Sequence, residues 1–162
     1  MIGFLQRLVR RGFRHEWREV LDLRPWLQAG GYNLVETYGP IAMNSAFDRY
    51  RGHNLGMLIE SDRGFGWTVE IGILAPETQA FDLSVWASCV GIPNPFGQTP
   101  REPDRQMRSL GEQLAFVRQH LHRMEAAADR DRVSDTAECL THTLRARQLS
   151  EFPASYRDEP VK

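Results

Sequence analysis

Apolar residues recur at alternate positions through two stretches near the middle of the chain, Leu55-Gly-Met-Leu-Ile-Glu-Ser61 and Trp67-Thr-Val-Glu-Ile-Gly-Ile-Leu74. Side chains of an extended strand point to opposite faces in turn, so a period of two predicts two β-strands. The connector Asp62-Arg63-Gly64-Phe65-Gly66 carries two glycines, and the pair reads as a β-hairpin with a turn longer than the two-residue kind. Upstream, Tyr32 to Tyr38 predicts a strand closed by Gly39-Pro40, and Ile41 to Arg49 predicts another. In that second strand Ile41, Met43, Ser45 and Phe47 fall on one face, with Ala42, Asn44, Ala46 and Asp48 on the other. Gly52-His53-Asn54 makes the next turn. Four strands on short connectors predict an antiparallel meander rather than crossover units.

The flanks carry the helical period instead. Ile2 to Arg14 places Ile2, Phe4, Leu5, Leu8, Val9 and Phe13 on one side and Arg7, Arg10, Arg11 and Arg14 on the other. A second helix is expected over Glu16 to Ala29, with Pro25 as a break or restart and Gly30-Gly31 as a stop. Between Ala80 and Val90 two patterns compete. Phe81, Leu83, Val85, Ala87 and Cys89 alternate as in a strand, yet Asp82 suits the cap of a short helix ended by Gly91, with Val85, Trp86 and Cys89 inward. The helix is the favoured reading. Ile92 to Pro103 holds four prolines and is a loop. Pro103 to Met124 then carries a helical stripe of Met107, Leu110, Leu114, Val117, Leu121 and Met124. Val133 to Leu149 predicts a last helix with Val133, Ala137, Leu140 and Leu144 inward and Ser134 as a cap. The expected whole is one α+β domain over residues 1–150, its N-terminal and C-terminal helices packed on one face of a four-stranded sheet. Residues 151–162 form a polar tail.

Composition narrows the chemistry. The chain has 162 residues and a formal net charge of −1, unevenly spread. Residues 1–30 carry six Arg against three acids, while residues 31–99 carry three Arg against seven acids. Near-neutrality without a sustained basic block argues against nucleic acid as the partner. No apolar run approaches the ~20 residues of a membrane span, so no stable membrane insertion is expected. Lys162 is the sole lysine among 20 basic residues. Chemistry that needs an interior lysine, such as a Schiff base or a P-loop, is therefore excluded. Cys89 and Cys139 show no paired spacing, which reads as thiols of a reducing cytoplasm.

No catalytic constellation accompanies this composition. There is no Gly-x-Ser-x-Gly elbow and no dinucleotide fingerprint, and no cofactor is assigned. Cys139 and His142 share one helical side, and a bridge to His120 or His122 is the one zinc arrangement the spacing permits. The sharper inference comes from the strands. If Trp67, Val69, Ile71 and Ile73 face the helices, then Asp48, Glu60 and Glu70 share the opposite face. Three carboxylates there suit a basic protein partner, or a divalent cation in a metal-dependent hydrolase. Asp62, Arg63 and Trp67 at the hairpin tip join them as candidate partner contacts. The 107–124 stripe is a candidate homodimer seam.

Gly31-Tyr32, Asp62-Arg63-Gly64, Trp67 and Glu70 also carry a resemblance. Over residues 17 to 91 the chain resembles small bacterial α+β proteins that include presumed immunity proteins of polymorphic toxin systems. Phe65-Gly66 makes the spacing before the aromatic residue one longer than usual in that group. The resemblance implies a non-enzymatic cytoplasmic protein that binds and blocks another protein, such as a cognate toxin.

Overall fold

In the computed structural model, residues 2–39, 45–61, 66–96 and 109–151 are described, with side chains between residues 13 and 148. The chain opens with one continuous helix, α1 (Ile2–Ala29), where two had been expected. Pro25 lies inside it without ending it. That proline stands on the exposed side beside Leu21, Asp22 and Trp26, so the carbonyl it leaves unbonded can be hydrated. Phe13, Trp17, Val20, Leu23 and Leu27 recur at helical spacing and are all buried. The side chains of residues 2–12, including the expected arginine stripe, lie outside the described residues.

The end of α1 follows from its glycines. The Tyr32 N–H returns to Leu27 O at 2.9 Å and the Gly31 N–H to Gln28 O at 3.0 Å. This Schellman arrangement needs a left-handed residue, which Gly31 supplies at φ 85°. Tyr32 and Leu27 are both buried, giving the apolar contact that accompanies such caps.

The sheet has five strands, one more than expected: β1 (Asn33–Tyr38), β2 (Ala46–Arg51), β3 (Leu55–Ser61), β4 (Trp67–Ile73) and β5 (Phe81–Asp82). They lie in chain order and every neighbouring pair is antiparallel. The expected meander is present, extended by a two-residue strand at one edge. β2 begins at Ala46; residues 41–44 of the anticipated strand lie outside the described residues. The competing patterns at 80–90 both hold in part. Phe81 and Asp82 pair with Ile71 and Glu70, and α2 (Leu83–Val90) follows at once. Asp82 caps α2 by accepting from the Ser84 and Val85 N–H groups, and Gly91 ends it.

β5 covers little of β4, and side chains close the rest of that edge. The Gln113 amide donates to Trp67 O at 2.9 Å and accepts from the Val69 N–H at 3.1 Å, as a strand backbone would. The Trp86 indole donates to Ile71 O at 2.8 Å. Thr78 exchanges bonds with Ile73, donating through its N–H at 3.0 Å and accepting through its hydroxyl at 2.9 Å. Buried backbone groups need partners, and this edge finds them in succession.

Gln113 belongs to α3 (Leu110–Ala127), which a Ser109–Glu112 capping box starts. Leu110, Leu114, Val117, Leu121 and Met124 of the stripe are buried within the chain, so they leave no seam for a second copy. Met107 lies outside the described residues. α4 (Val133–Glu151) buries Val133 and Leu140, with Ala137 and Leu144 partly buried. Ser134 falls inside this helix rather than at its cap. α1 and α3 pack on the inner sheet face, whereas α4 contacts mainly α2 beside β4 and β5. Residues 152–162 lie outside the described residues.

One covalent feature overturns a sequence expectation. Cys89 of α2 and Cys139 of α4 form a disulfide with Cα atoms 5.8 Å apart. Fifty residues of separation hid the pair, because the two helices meet only in the tertiary fold.

Candidate functional site

Cross-strand register decides which candidate residues stand together. Leu58 pairs with Glu70 and Glu60 pairs with Thr68, so Glu60 and Glu70 share the outer sheet face as diagonal neighbours. Asp48 does not join them. It pairs with Ile59, which in turn pairs with Val69, both on the inner face. The expected trio is divided between two surfaces, and with it goes the three-carboxylate metal site of a hydrolase. The pattern over 41–49 separates Ile41, Met43, Ser45 and Phe47 on one face from Ala42, Asn44, Ala46 and Asp48 on the other, and Asp48 was expected to face outward with Glu60. In the fold Ala46, Asp48 and Tyr50 point inward, while Phe47 is half-buried on the outer face.

Asp48 is fully buried and pinned from three sides. The Arg24 guanidinium donates to both its oxygens at 2.8 Å, one bond from Nε and one from a terminal nitrogen. The Thr37 and Tyr50 hydroxyls each donate at 2.7 Å. This network ties α1 to β1 and β2. Its hydrogen bond to Asp48 raises Arg24 above the usual arginine value. Burial, then the same carboxylate, holds the Tyr50 phenol well above its usual value, so Tyr50 stays a neutral donor. Tyr50, two residues on and on the same strand face, was the local signal that Asp48 is structural, whereas Arg24, 24 residues away, could not be paired with it without the fold.

Trp67 also leaves the partner surface. It is 3% exposed, as its inward assignment required, and its ring stacks with Phe13 at 5.5 Å and Trp17 at 6.0 Å. Its indole N–H donates to Glu16 at 2.9 Å. Burial, outweighing that hydrogen bond, raises Glu16 above the usual carboxylate value. Asp62 and Arg63 lie outside the described residues.

Glu60 and Glu70 keep their expected face, and residues not anticipated join them there. Tyr38, Phe47, Glu60 and Thr68 form one row across the outer face, and Glu36, Arg49, Leu58, Glu70 and Asp82 form the next. Tyr38 is 46% exposed and stacks on Phe47 at 5.6 Å, while the Arg49 guanidinium lies 5.9 Å from the Phe47 ring. Each end of the second row is ion-paired: Arg49 with Glu36 at 2.9 Å, and Arg147 of α4 with Asp82 at 3.7 Å. Val35, beside the irregularity in β1, is 55% exposed.

The helical side holds two open clefts between α1 and α3, of about 590 and 480 Å³, which share Arg118. Carboxylates in the second are already committed to the fold. Tyr32 donates to Glu125, and Asn54 donates to Asp129 at 2.9 Å. Burial, then Glu125, holds the Tyr32 phenol above its usual value. A Cβ at Gly52 would stand 2.7 Å from the Tyr32 ring, so the β2–β3 turn needs glycine to pack there. The zinc arrangement read from Cys139 is lost, because that sulfur is in the disulfide. No group of three metal-binding side chains occurs among the described residues. Among those residues, no helix is long and apolar enough to cross a membrane. Comparison with family models, curated proteins and solved structures finds no match.

Proposed function

We propose that this chain is a protein-binding module, an immunity-like stoichiometric inhibitor that receives a basic partner on its outer sheet face. One observation carries the reading: Glu60 and Glu70 share a half-exposed face with the stacked Tyr38 and Phe47 rings. An arginine-bearing surface suits that mixture, because a planar guanidinium both pairs with carboxylates and stacks on aromatic rings. Asp62 and Arg63, which follow Ser61 in the sequence, stay in the proposal as contacts expected from the sequence alone. The cytoplasmic placement expected from unpaired cysteines loses its ground now that the two are joined.

The test is co-expression with the protein encoded by the neighbouring reading frame, followed by size-exclusion chromatography and calorimetry. A one-to-one complex should form with the natural chain. The double substitution E60K/E70K should weaken it about 10-fold or more, and Tyr38→Ala by a similar factor. A complex indifferent to both changes would place the interface elsewhere, and no complex at all would remove the inhibitor reading.

A further inference from the structure

α4 is held chiefly through one neighbouring helix and a covalent bond to it. Its contacts run mainly to α2 rather than to the sheet. Two ties, one polar and one covalent, supplement Val133, Leu140 and their partly buried neighbours. Arg147 donates to the Ser84 hydroxyl, to Ser84 O at 3.2 Å and to the Ser88 hydroxyl at 3.3 Å, and lies 3.7 Å from Asp82. The other tie is covalent, the Cys89–Cys139 bond. Neither cysteine is fully buried as a residue.

Thr143 stands beside both sulfurs, its hydroxyl oxygen 3.5 Å from Cys89 Sγ and 3.9 Å from Cys139 Sγ. A disulfide sulfur has no proton to give, so in the bonded form the hydroxyl is the donor. The same hydroxyl is placed to donate to a thiolate leaving from either sulfur, the charge that must develop as the bond opens.

We propose that the Cys89–Cys139 bond is a redox-gated latch: oxidised, it fastens α4 to α2, and reduction by a dithiol lets α4 move off α2 while the sheet and α1 stay folded. In the reducing step a thiolate of the dithiol attacks one cysteine sulfur and displaces the other as a thiolate. The second thiol of the reductant then displaces the remaining cysteine from the mixed disulfide. Two electrons and two protons end on Cys89 and Cys139, and the dithiol becomes a cyclic disulfide. Opening withdraws Arg147 from Asp82, which lies in register with Glu70 on the outer row. The latch thereby changes the charge at one margin of that face, whether or not the face binds a partner.

Hydrogen exchange followed by mass spectrometry, on the full chain with and without excess dithiothreitol, tests this directly. In the oxidised protein, amides of α4 and of β2–β4 should both resist exchange in short labelling pulses. After reduction, α4 amides should exchange about 10-fold faster or more within the same pulses, with β2–β4 still protected. The double substitution C89A/C139A should reproduce the reduced pattern without reductant; if it does not fold, the natural chain in its two redox states decides. Equal protection of α4 in both states overturns the proposal, as does simultaneous loss of protection across the whole chain. So does alkylation of the unreduced, denatured protein that labels both cysteines.

Discussion

At the scale of single residues, burial has sorted the acids into two occupations. Asp48 is enclosed and receives four hydrogen bonds from Arg24, Thr37 and Tyr50, so it is spent on joining helix to sheet. Asp48→Asn should cost about 2–4 kcal/mol, because an amide nitrogen would face donors and leave the guanidinium without its counter-charge. Urea denaturation measures that loss, and a cost under about 0.5 kcal/mol would contradict the network. His120 gives a pH-dependent counterpart. Desolvation first, then Arg123 and His122, lowers it from the ordinary 6.5, and its ring lies 4.7 Å from Phe116. The unfolded chain therefore binds that proton more tightly than the folded one. The contribution is intact above about pH 6.5 and is lost as pH falls below it. His120→Gln should lose less stability than the natural chain between about pH 7.5 and about pH 5.5, measured by denaturant titration at each pH. The parity of β2 was the residue-level feature the sequence concealed. Phe47 looks like a core residue, and only the packing of Arg24 against Asp48 reveals that its neighbour is the buried one.

At the scale of elements, legibility followed periodicity. The hairpin of β3 and β4 carries apolar residues at alternate positions, and these fell on the inner face as expected, with Met57, Ile59, Val69 and Ile71 buried. The stripe of α3 and the caps of α2 were likewise readable, because each is set by near neighbours in the chain. Closure of the β4 edge was not readable, since it depends on side chains 44 to 46 residues away. Gln113 carries that closure. It is 1% exposed, sits in an otherwise apolar helical face, and looks from sequence like a surface residue. Gln113→Leu should cost about 2–4 kcal/mol despite adding apolar surface, because it leaves the Val69 N–H and Trp67 carbonyl buried without their partner. Thermal and urea unfolding of that variant measure the cost. A neutral or stabilising result would mean that the edge is hydrated rather than bridged.

At the scale of the whole molecule, the disulfide changes how the helices share the burden of stability. α1 and α3 hold themselves on the sheet through the apolar core, the Asp48 network and Gln113. α4 lacks such a footing and is carried by α2. The bond between them closes a loop whose ends are 50 residues apart and which contains all of α3. Restricting an unfolded chain by a loop of that length contributes about 4 kcal/mol in the chain-entropy account. For a protein of this size each kcal/mol moves the midpoint by about 2–4 °C, so reduction should lower Tm by roughly 10 °C. Calorimetry with and without dithiothreitol measures the shift, and the shape of the transition adds a second reading. If α4 leaves ahead of the rest, the reduced protein should show calorimetric and van't Hoff enthalpies that no longer agree, while the oxidised protein melts in one step. An unchanged Tm would contradict that account and mean that closing the loop brings no net stabilisation. The disulfide would then record that the two cysteines are close, and would add nothing to the stability of the fold.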